Sequence, residues 1–369
     1  MEPKQNMMGC VDKRLKGLRV CYFGHYDPNY SRNRVILKAL KRAGADIVEV
    51  RDYSQGLHRW LRLFMSGLTA RFDIIFVGFP GHTDVPLGWL IACLKRSPLV
   101  FDAFLSLYDT AVFDRRTVPP NSLRAKRLFL TDKLACLLAK IVLLDTEAHI
   151  RYFVDTFKLP AVKFRRIWVG TDDEVMFPRG EPPSDENFTV FFYGSYIPLH
   201  GAEYIVKAAH LLEERKGKIL FVMVGSGQTF PEIKRLAEDL KVRSVRFVGR
   251  VPYEQLPEMM SRSHVCLGIF GTTPKASRVI PNKVFDALAV GRPVVTADTP
   301  AVREEFTHGE NIWLVPAGDE KALAEAIVTL KNDKPLRQRL AANGIATFKE
   351  RFSIDVITKD IANVILGVL

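Results

Sequence analysis

LRVCYFGHYDPNYSRNRVILKALKRAGADIVEV (residues 18–50) reads as one complete strand–helix–strand unit. LRVCYFG (18–24) is a continuous apolar run closed by a glycine. Over Arg32 to Ala43, Val35, Ile36, Leu40 and Ala43 recur at helical spacing, and Gly44 stops the helix. DIVEV (46–50) then starts a second strand. Short apolar runs of this kind suit a parallel sheet covered on both faces. The same grammar recurs at FDIIFVGF (72–79), PLVFDAF (98–104), KIVLLDT (140–146) and FRRIWVG (164–170). GTDDEVMFPRGEPPSDEN (170–187) breaks it, being acidic, Pro-rich and aperiodic, and reads as a linker.

Beyond the linker the pattern restarts. Strands are predicted at 188–194, 218–225, 245–250, 264–270, 292–298 and 311–316, with helices over 202–214, 231–240, 254–262, 282–290 and 319–332. The economical reading is α/β, with two doubly wound Rossmann-like domains facing each other across a cleft. Residues 1–170 form the first domain, 171–187 the linker and 188–350 the second domain. The last segment, 351–369, carries Ile354, Ile357, Ile361 and Ile365 at near-helical spacing and is expected to cross back onto the first domain.

Composition removes several classes. A chain of 369 residues, 47% hydrophobic and 25% charged, has enough apolar side chains for two cores. No stretch approaches the roughly 18–20 apolar residues of a membrane span, and the greasiest window, Leu134 to Leu144, is broken by Lys140. MEPKQNMMGCVDKRLKG has no apolar core of a signal peptide. The five cysteines, at 10, 21, 93, 136 and 266, form no CxxC pair. They read as reduced packing residues of a cytoplasmic protein. Charge is lopsided. Residues 1–170 hold 28 basic and 15 acidic side chains, a net of +13, whereas 171–369 hold 25 and 26, a net of −1. An excess of that size in one domain predicts an anionic partner. Nucleic acid is disfavoured, because no recognised reading module accompanies the charge.

The second domain still concentrates cations at one place. From Met259 to Phe285 there are 27 residues without Asp or Glu, and they include Arg262, Lys275, Arg278 and Lys283. The loop GTTPKASRVIPNK joins a strand to a helix, and Pro281 and Asn282 suit a helix start. A helix N-terminus flanked by cations favours phosphate. The plainer alternative is a solvated basic loop.

PNKVFDALAVGRPVVTADTPAVREEFTHGENIWLVPAGDEKALAEAI, with YGSYIPLHGAEYIVKAAHLL, VGSG (224–227) and VRFVGRVPYEQLPEMMSRSHVCL, resembles the donor-binding region of family-4 retaining glycosyltransferases with the GT-B fold. The resemblance is continuous from about 188 to 350 and mainly architectural before that. It implies transfer of a sugar from a nucleotide-sugar to an acceptor with retained anomeric configuration, usually with no metal and no cofactor. The implied donor-binding residues are Gly24, Ser195, His200, Gly201, Val251, Lys275, Arg278, Asn282, Lys283 and Asp286. The chain departs from the family pattern at four of the family's charged positions. Ser195 and His200 stand where the family has Arg and Lys, and Arg278 and Asp286 stand where it has paired glutamates. Positive charge lost from the first loop thus reappears in the second. The departures leave two readings open, an active enzyme with relocated charge and a catalytically impaired binding or scaffold protein. Epimerases of the same fold fit less well, for want of a carboxylate pair in the donor region.

In the first domain the resemblance places Gly24 in a tight loop near the donor phosphates, with His25, Tyr26, Asp27, Arg32 and Asn33 at the cleft mouth. Ser31 and Asn33 serve equally well as helix caps. Where the family often has a His-Asp pair, this chain has Phe101-Asp102. Asp102 and Asp109 are candidates for holding or deprotonating the acceptor, alongside Arg278 as a catalytic candidate, and either aspartate is equally a helix cap. In GLHRWLRLFMSGLTARF (56–72), Trp60, Leu61, Phe64 and Leu68 share a face flanked by Arg59, Arg62 and Arg71. This suits either a helix packed on the sheet or an interfacial helix on an anionic membrane. RRTVPPNSLRAKR (115–127) adds Arg124 and Arg127 to the acceptor or lipid side. The expected partners are therefore a nucleotide-sugar, a glycan or lipid-linked acceptor, and an anionic membrane surface on the cytoplasmic side.

Overall fold

In the computed structural model, residues 13–54, 56–182, 188–213 and 218–369 are described. Cys10, the segment expected not to be a signal peptide up to residue 12, the end of the linker (183–187) and residue 214 of the expected helix 202–214 lie outside them.

The twelve predicted strands form two six-stranded sheets, and every pairing within them is parallel. In the first, β1 (Arg19–Gly24), β2 (Asp46–Arg51), β3 (Ile74–Val77), β4 (Leu99–Asp102), β5 (Ile141–Leu144) and β6 (Phe164–Arg166) lie in the order β2-β1-β3-β4-β5-β6. In the second, β7 (Phe188–Gly194), β8 (Ile219–Gly225), β9 (Val245–Val248), β10 (Val265–Leu267), β11 (Val294–Ala297) and β12 (Trp313–Val315) lie in the order β12-β11-β10-β7-β8-β9. Each sheet has its own apolar core on both faces, which is why its strands read as unbroken apolar runs. The window Leu134 to Leu144 divides at Ala139 between the helix Leu123–Leu138 and β5.

The crossing back at the C-terminus is a packed helix. Ile354–Leu366 lays Ile354, Ile357, Ile361 and Ile365 against Val35, Ile36, Leu37 and Leu40 of the helix Ser31–Arg42. It is preceded by an 18-residue helix, Lys334–Arg351, that no sequence pattern had announced. That helix buries Leu336, Leu340, Gly344 and Phe348, a row too narrow to register as an amphipathic stripe.

The acidic linker is anchored, not slack. Asp172 and Glu174 pair with Lys38, while Asp173, Glu174 and Asp355 surround Arg42. Its charges thus neutralise the basic end of the first helix. The deepest ion pair lies at the carboxyl end of the first sheet. Arg32, fully buried, holds Asp102 through Nε at 2.9 Å and Nη2 at 2.8 Å, and donates from Nη1 to the carbonyls of Ile167 (2.7 Å) and Trp168 (3.0 Å). Asn33 is buried beside it, donating to the carbonyls of Asp27 and Phe79. Neither residue is at the cleft mouth and neither caps the helix. Every polar atom of the Arg32 guanidinium is occupied by structure.

A buried charge stripped of its partner is expensive, so Arg32→Met should lower unfolding free energy by about 3–5 kcal/mol. Arg32→Met combined with Asp102→Leu should recover most of that loss in urea unfolding. Equal losses in the single and double variants would show that packing, not charge pairing, is what Arg32 supplies.

Candidate functional site

A cleft of about 500 Å³ opens between the two sheets at their carboxyl ends. The first domain contributes Tyr30, Ser31, Phe104, Leu105, Thr110, Arg115 and Asp145 to its wall. The second contributes the ends of β7 and β8, Arg250 and Val251 after β9, and the loop from Lys275 to Lys283 after β10. Among the wall residues the formal cations are Arg115, Arg250, Lys275 and Lys283, and the carboxylate is Asp145 alone. The cleft is therefore net positive and suited to an anion.

Six of the sequence-derived donor residues line it: Ser195, His200, Val251, Lys275, Asn282 and Lys283. The helix Asn282–Ala289 has Pro281 at its N-cap position, with no side chain capping it. The Asn282 amide instead donates across the cleft to the Ser31 hydroxyl. The open backbone N–H groups of this helix start therefore face the cleft with Lys283 in the first turn. Lys283 is buried over the rings of Phe192 and Tyr193 at 5.1 and 5.9 Å, and burial lowers its pKa to about 7. His200 is buried too. Desolvation, then Lys283 and Arg115 nearby, push its pKa well below the usual range and keep the ring neutral. Its Nδ1 has no hydrogen-bond partner. The ring thus offers a hydrogen bond, not the fixed charge of the lysine it replaces.

Gly24 and Gly201 are not wall residues: Gly24 packs against Asp84, and Gly201 follows the wall residue His200. Gly24 ends β1 at φ +114°, and a Cβ there would lie 2.7 Å from Asp84 Oδ2. Gly201, at φ +61°, sits where a Cβ would lie 2.4 Å from the Gly271 backbone nitrogen, so only glycine fits.

Four sequence-derived residues, Arg278, Asp109, Asp102 and Asp286, lie elsewhere than expected. Arg278 does not reach the wall. Its Nη2 donates to both carboxylate oxygens of Asp109 of the first domain, at 2.7 and 2.8 Å, and its guanidinium stacks 4.1 Å over Tyr152. The stretch that is acid-free in sequence is therefore not acid-free in space, and neither a solvated basic loop nor a uniform phosphate cluster describes it. Lys275 donates to Thr110 Oγ1 at 2.6 Å, with Asp114 and Asp109 favouring its charge against burial, and Thr273 donates to Asp114 at 3.2 Å. Asp109 is thereby neutralised and Asp102 is held by Arg32, so neither presents a free carboxylate. Asp286 lies behind the wall, one oxygen bound by Thr171 and the other by Tyr193. Burial raises its pKa to about 6. Its ribose-binding role would require those bonds to exchange.

Two wall residues escaped the sequence reading. Asp145 follows β5 and accepts or shares a hydrogen bond with His149 Nδ1 at 2.7 Å. Its place at the carboxyl end of KIVLLDT was the available signal. Arg115, read only as part of the loop 115–127 on the acceptor or lipid side, lines the cleft, while its carbonyl accepts from Gln228 of the second domain at 2.8 Å. The remaining membrane or acceptor candidates are not among the wall residues. Trp60 is half-buried under Arg59, which is tied to Asp84, Arg62 pairs with Asp52, and Arg124 and Arg127 are exposed.

Comparison with known proteins adds to this geometry. Residues 175–347 match the family model of glycosyl transferases group 1. The alpha-D-kanosaminyltransferase of Streptomyces kanamyceticus is 25% identical over 293 residues, 75% of this chain and 72% of that protein. The phosphatidyl-myo-inositol mannosyltransferase of Mycobacterium leprae is 31% identical over 178 residues, 48% of this chain and about half (49%) of its own length. The crystal structure of Anabaena HepE with UDP-glucose superposes with a TM-score of 0.73 at 18% identity, over 95% of this chain and 100% of that one. At that identity the likeness speaks for the fold, which is GT-B.

Because Lys283 loses its proton near pH 7 in the free protein, an anion beside it would pull the proton back. Inorganic diphosphate should accordingly bind with proton uptake above about pH 7, its affinity falling by up to about tenfold per pH unit. Calorimetry in buffers of different ionisation heat reads the uptake directly, and Lys283→Arg should abolish it. PH-independent binding would remove Lys283 from the site.

Proposed function

We propose that this chain, whose residues 175–347 match the family model of glycosyl transferases group 1, moves a hexose from a nucleotide-sugar to a glycan or lipid-linked acceptor, with retention at the anomeric carbon. The observation that carries the reading is the net positive cleft at the carboxyl ends of two facing sheets. As the glycosidic bond breaks, negative charge develops on the nucleoside diphosphate, and positioned cations and N–H groups stabilise it. Lys275, Lys283, Arg115 and the open start of the helix Asn282–Ala289 are the groups available for this. His200 Nδ1 adds a hydrogen-bonding atom at the same wall. In this reading the protein's own charges take the role that a metal fills elsewhere, and no cofactor takes part.

Arg250 and Val251 stand where the base would lie, next to the ends of β7 and β8. That solved relatives hold UDP or UDP-glucose favours a uridine donor. On the acceptor side Asp145, steadied by His149, is the carboxylate in reach of the cleft, and we assign it the task of orienting the acceptor hydroxyl. Glycolipid or surface-glycan synthesis is the setting that the likeness to the phosphatidyl-myo-inositol mannosyltransferase favours. The buried, unpaired Cys21, Cys136 and Cys266 favour a cytoplasmic location.

A melting-temperature screen with UDP, GDP and their sugars tests the donor, since a ligand of the native state stabilises it in proportion to affinity. UDP-sugars are expected to raise the midpoint. Arg115→Ala and Lys275→Ala should each weaken donor binding by roughly tenfold or more, the scale of one charged hydrogen bond. Asp145→Asn should spare binding and lower turnover. Donor binding without transfer or donor hydrolysis would establish the impaired binding protein instead. No shift with any nucleotide would overturn the reading.

A further inference from the structure

Three neighbouring helices of the first domain carry an outer surface that the transfer reaction does not use. They are Leu57–Thr69, Val85–Lys95 and Leu123–Leu138, packed side by side over one face of the first sheet. Their exposed side chains include Leu57, Leu61 and Met65 on the first, Trp89, Leu90 and Leu94 on the second, and Leu123, Leu130, Leu134 and Leu137 on the third. Leu57 is 86% exposed and Leu123 73%. By contrast, no large hydrophobic side chain among the described residues of 188–350 is exposed. An apolar surface of this extent on one domain alone marks an interaction site.

Charge says what covers it. The first two helices contain no Asp or Glu, and the third contains only Asp132, which is fully buried and held by Ser106 and the backbone N–H groups of Leu107 and Tyr108. The three helices therefore expose no carboxylate. Arg71, Arg96, Arg124, Lys126 and Arg127 stand exposed on or beside them and form no ion pair among the described residues. A second copy of the chain would set these cations against their own kind. An anionic bilayer satisfies both halves of the surface, taking the leucines and Trp89 into the acyl boundary and the cations at the headgroups.

We propose that the outer face of these three helices docks peripherally on an anionic lipid bilayer. The face differs from the one the sequence suggested. Trp60 and Phe64 turn partly into the core with Leu63, and Leu57, Leu61 and Met65 take the outside. No helix among the described residues is long and apolar enough to cross a membrane, so the contact is interfacial.

Cys93 makes the proposal testable. It is exposed on the same helix as Trp89, Leu90 and Leu94, whereas Cys21, Cys136 and Cys266 are buried. In a Cys10→Ser background Cys93 would take a nitrobenzoxadiazole label. The full chain should sediment with phosphatidylcholine vesicles containing phosphatidylglycerol, and the label should brighten and shift to the blue. Both effects should weaken with added salt and be far smaller with phosphatidylcholine alone. Leu130→Asp with Leu134→Asp, or Arg124→Glu with Arg127→Glu, should lower vesicle binding by about tenfold or more. The unfolding midpoint and nucleotide-induced shift should stay unchanged, which separates this test from that of the donor site. Equal recovery with neutral and anionic vesicles would overturn the proposal, as would binding with no change at Cys93. So would a solution dimer that the Leu130/Leu134 variant dissociates.

Discussion

Cations on one domain find their carboxylates on the other, and the cleft depends on that exchange. Arg278 leaves its own acid-free loop to grip Asp109, with Tyr152 beneath it. Lys275 reaches Thr110 in the field of Asp114, and Thr273 reaches Asp114 itself. Further along the same interface Glu304 accepts the backbone N–H groups of Glu147 and Ala148, capping a helix of the opposite domain. Each of these groups would otherwise pay a desolvation cost without compensation. Their pairing fixes how far apart the carboxyl ends of the two sheets stand, and so fixes the width of the cleft.

That arrangement explains how charge can leave one loop without leaving the site. Ser195 and His200 provide no fixed positive charge, and burial keeps His200 neutral. Arg115 from the first domain supplies it instead, and Lys275 and Lys283 from the second add charge that burial makes dependent on an anion beside them. Because those groups come from both domains, an anion bound between them would be held from both walls of the cleft. One helical face of the first domain carries a separate share of the positive charge on three helices that expose no carboxylate. The +13 of residues 1–170 is thus divided between a cleft and an outer face.

The fold was legible because strand and helix periodicities are local. Twelve apolar runs became twelve strands, and the isoleucine spacing near the C-terminus became the helix that crosses back. The helix Lys334–Arg351 went unseen because the row it buries is narrow and includes Arg337 and Gly344 beside the apolar Leu336, Leu340 and Phe348. The site was legible in part. Lys275, Asn282 and Lys283 stand on one loop whose composition is visible in the chain. Asp145 and Arg115 were not singled out, because their relevance arises from what the other domain places opposite them.

Sequence alone determined the two α/β halves, the break between them and the basic loop that lines the cleft, since each follows from patterns within a few turns or strands. It also determined which family charges were missing. Only the tertiary structure decided which of the remaining charges are free. Asp102, Asp109, Arg278 and Asp286 are equally ionisable on paper, yet packing has committed the first to Arg32, the next two to each other and the last to Thr171 and Tyr193. The physical reason is that an ionised group in a low-dielectric interior takes the nearest partner that three dimensions provide, and that partner can stand more than a hundred residues away.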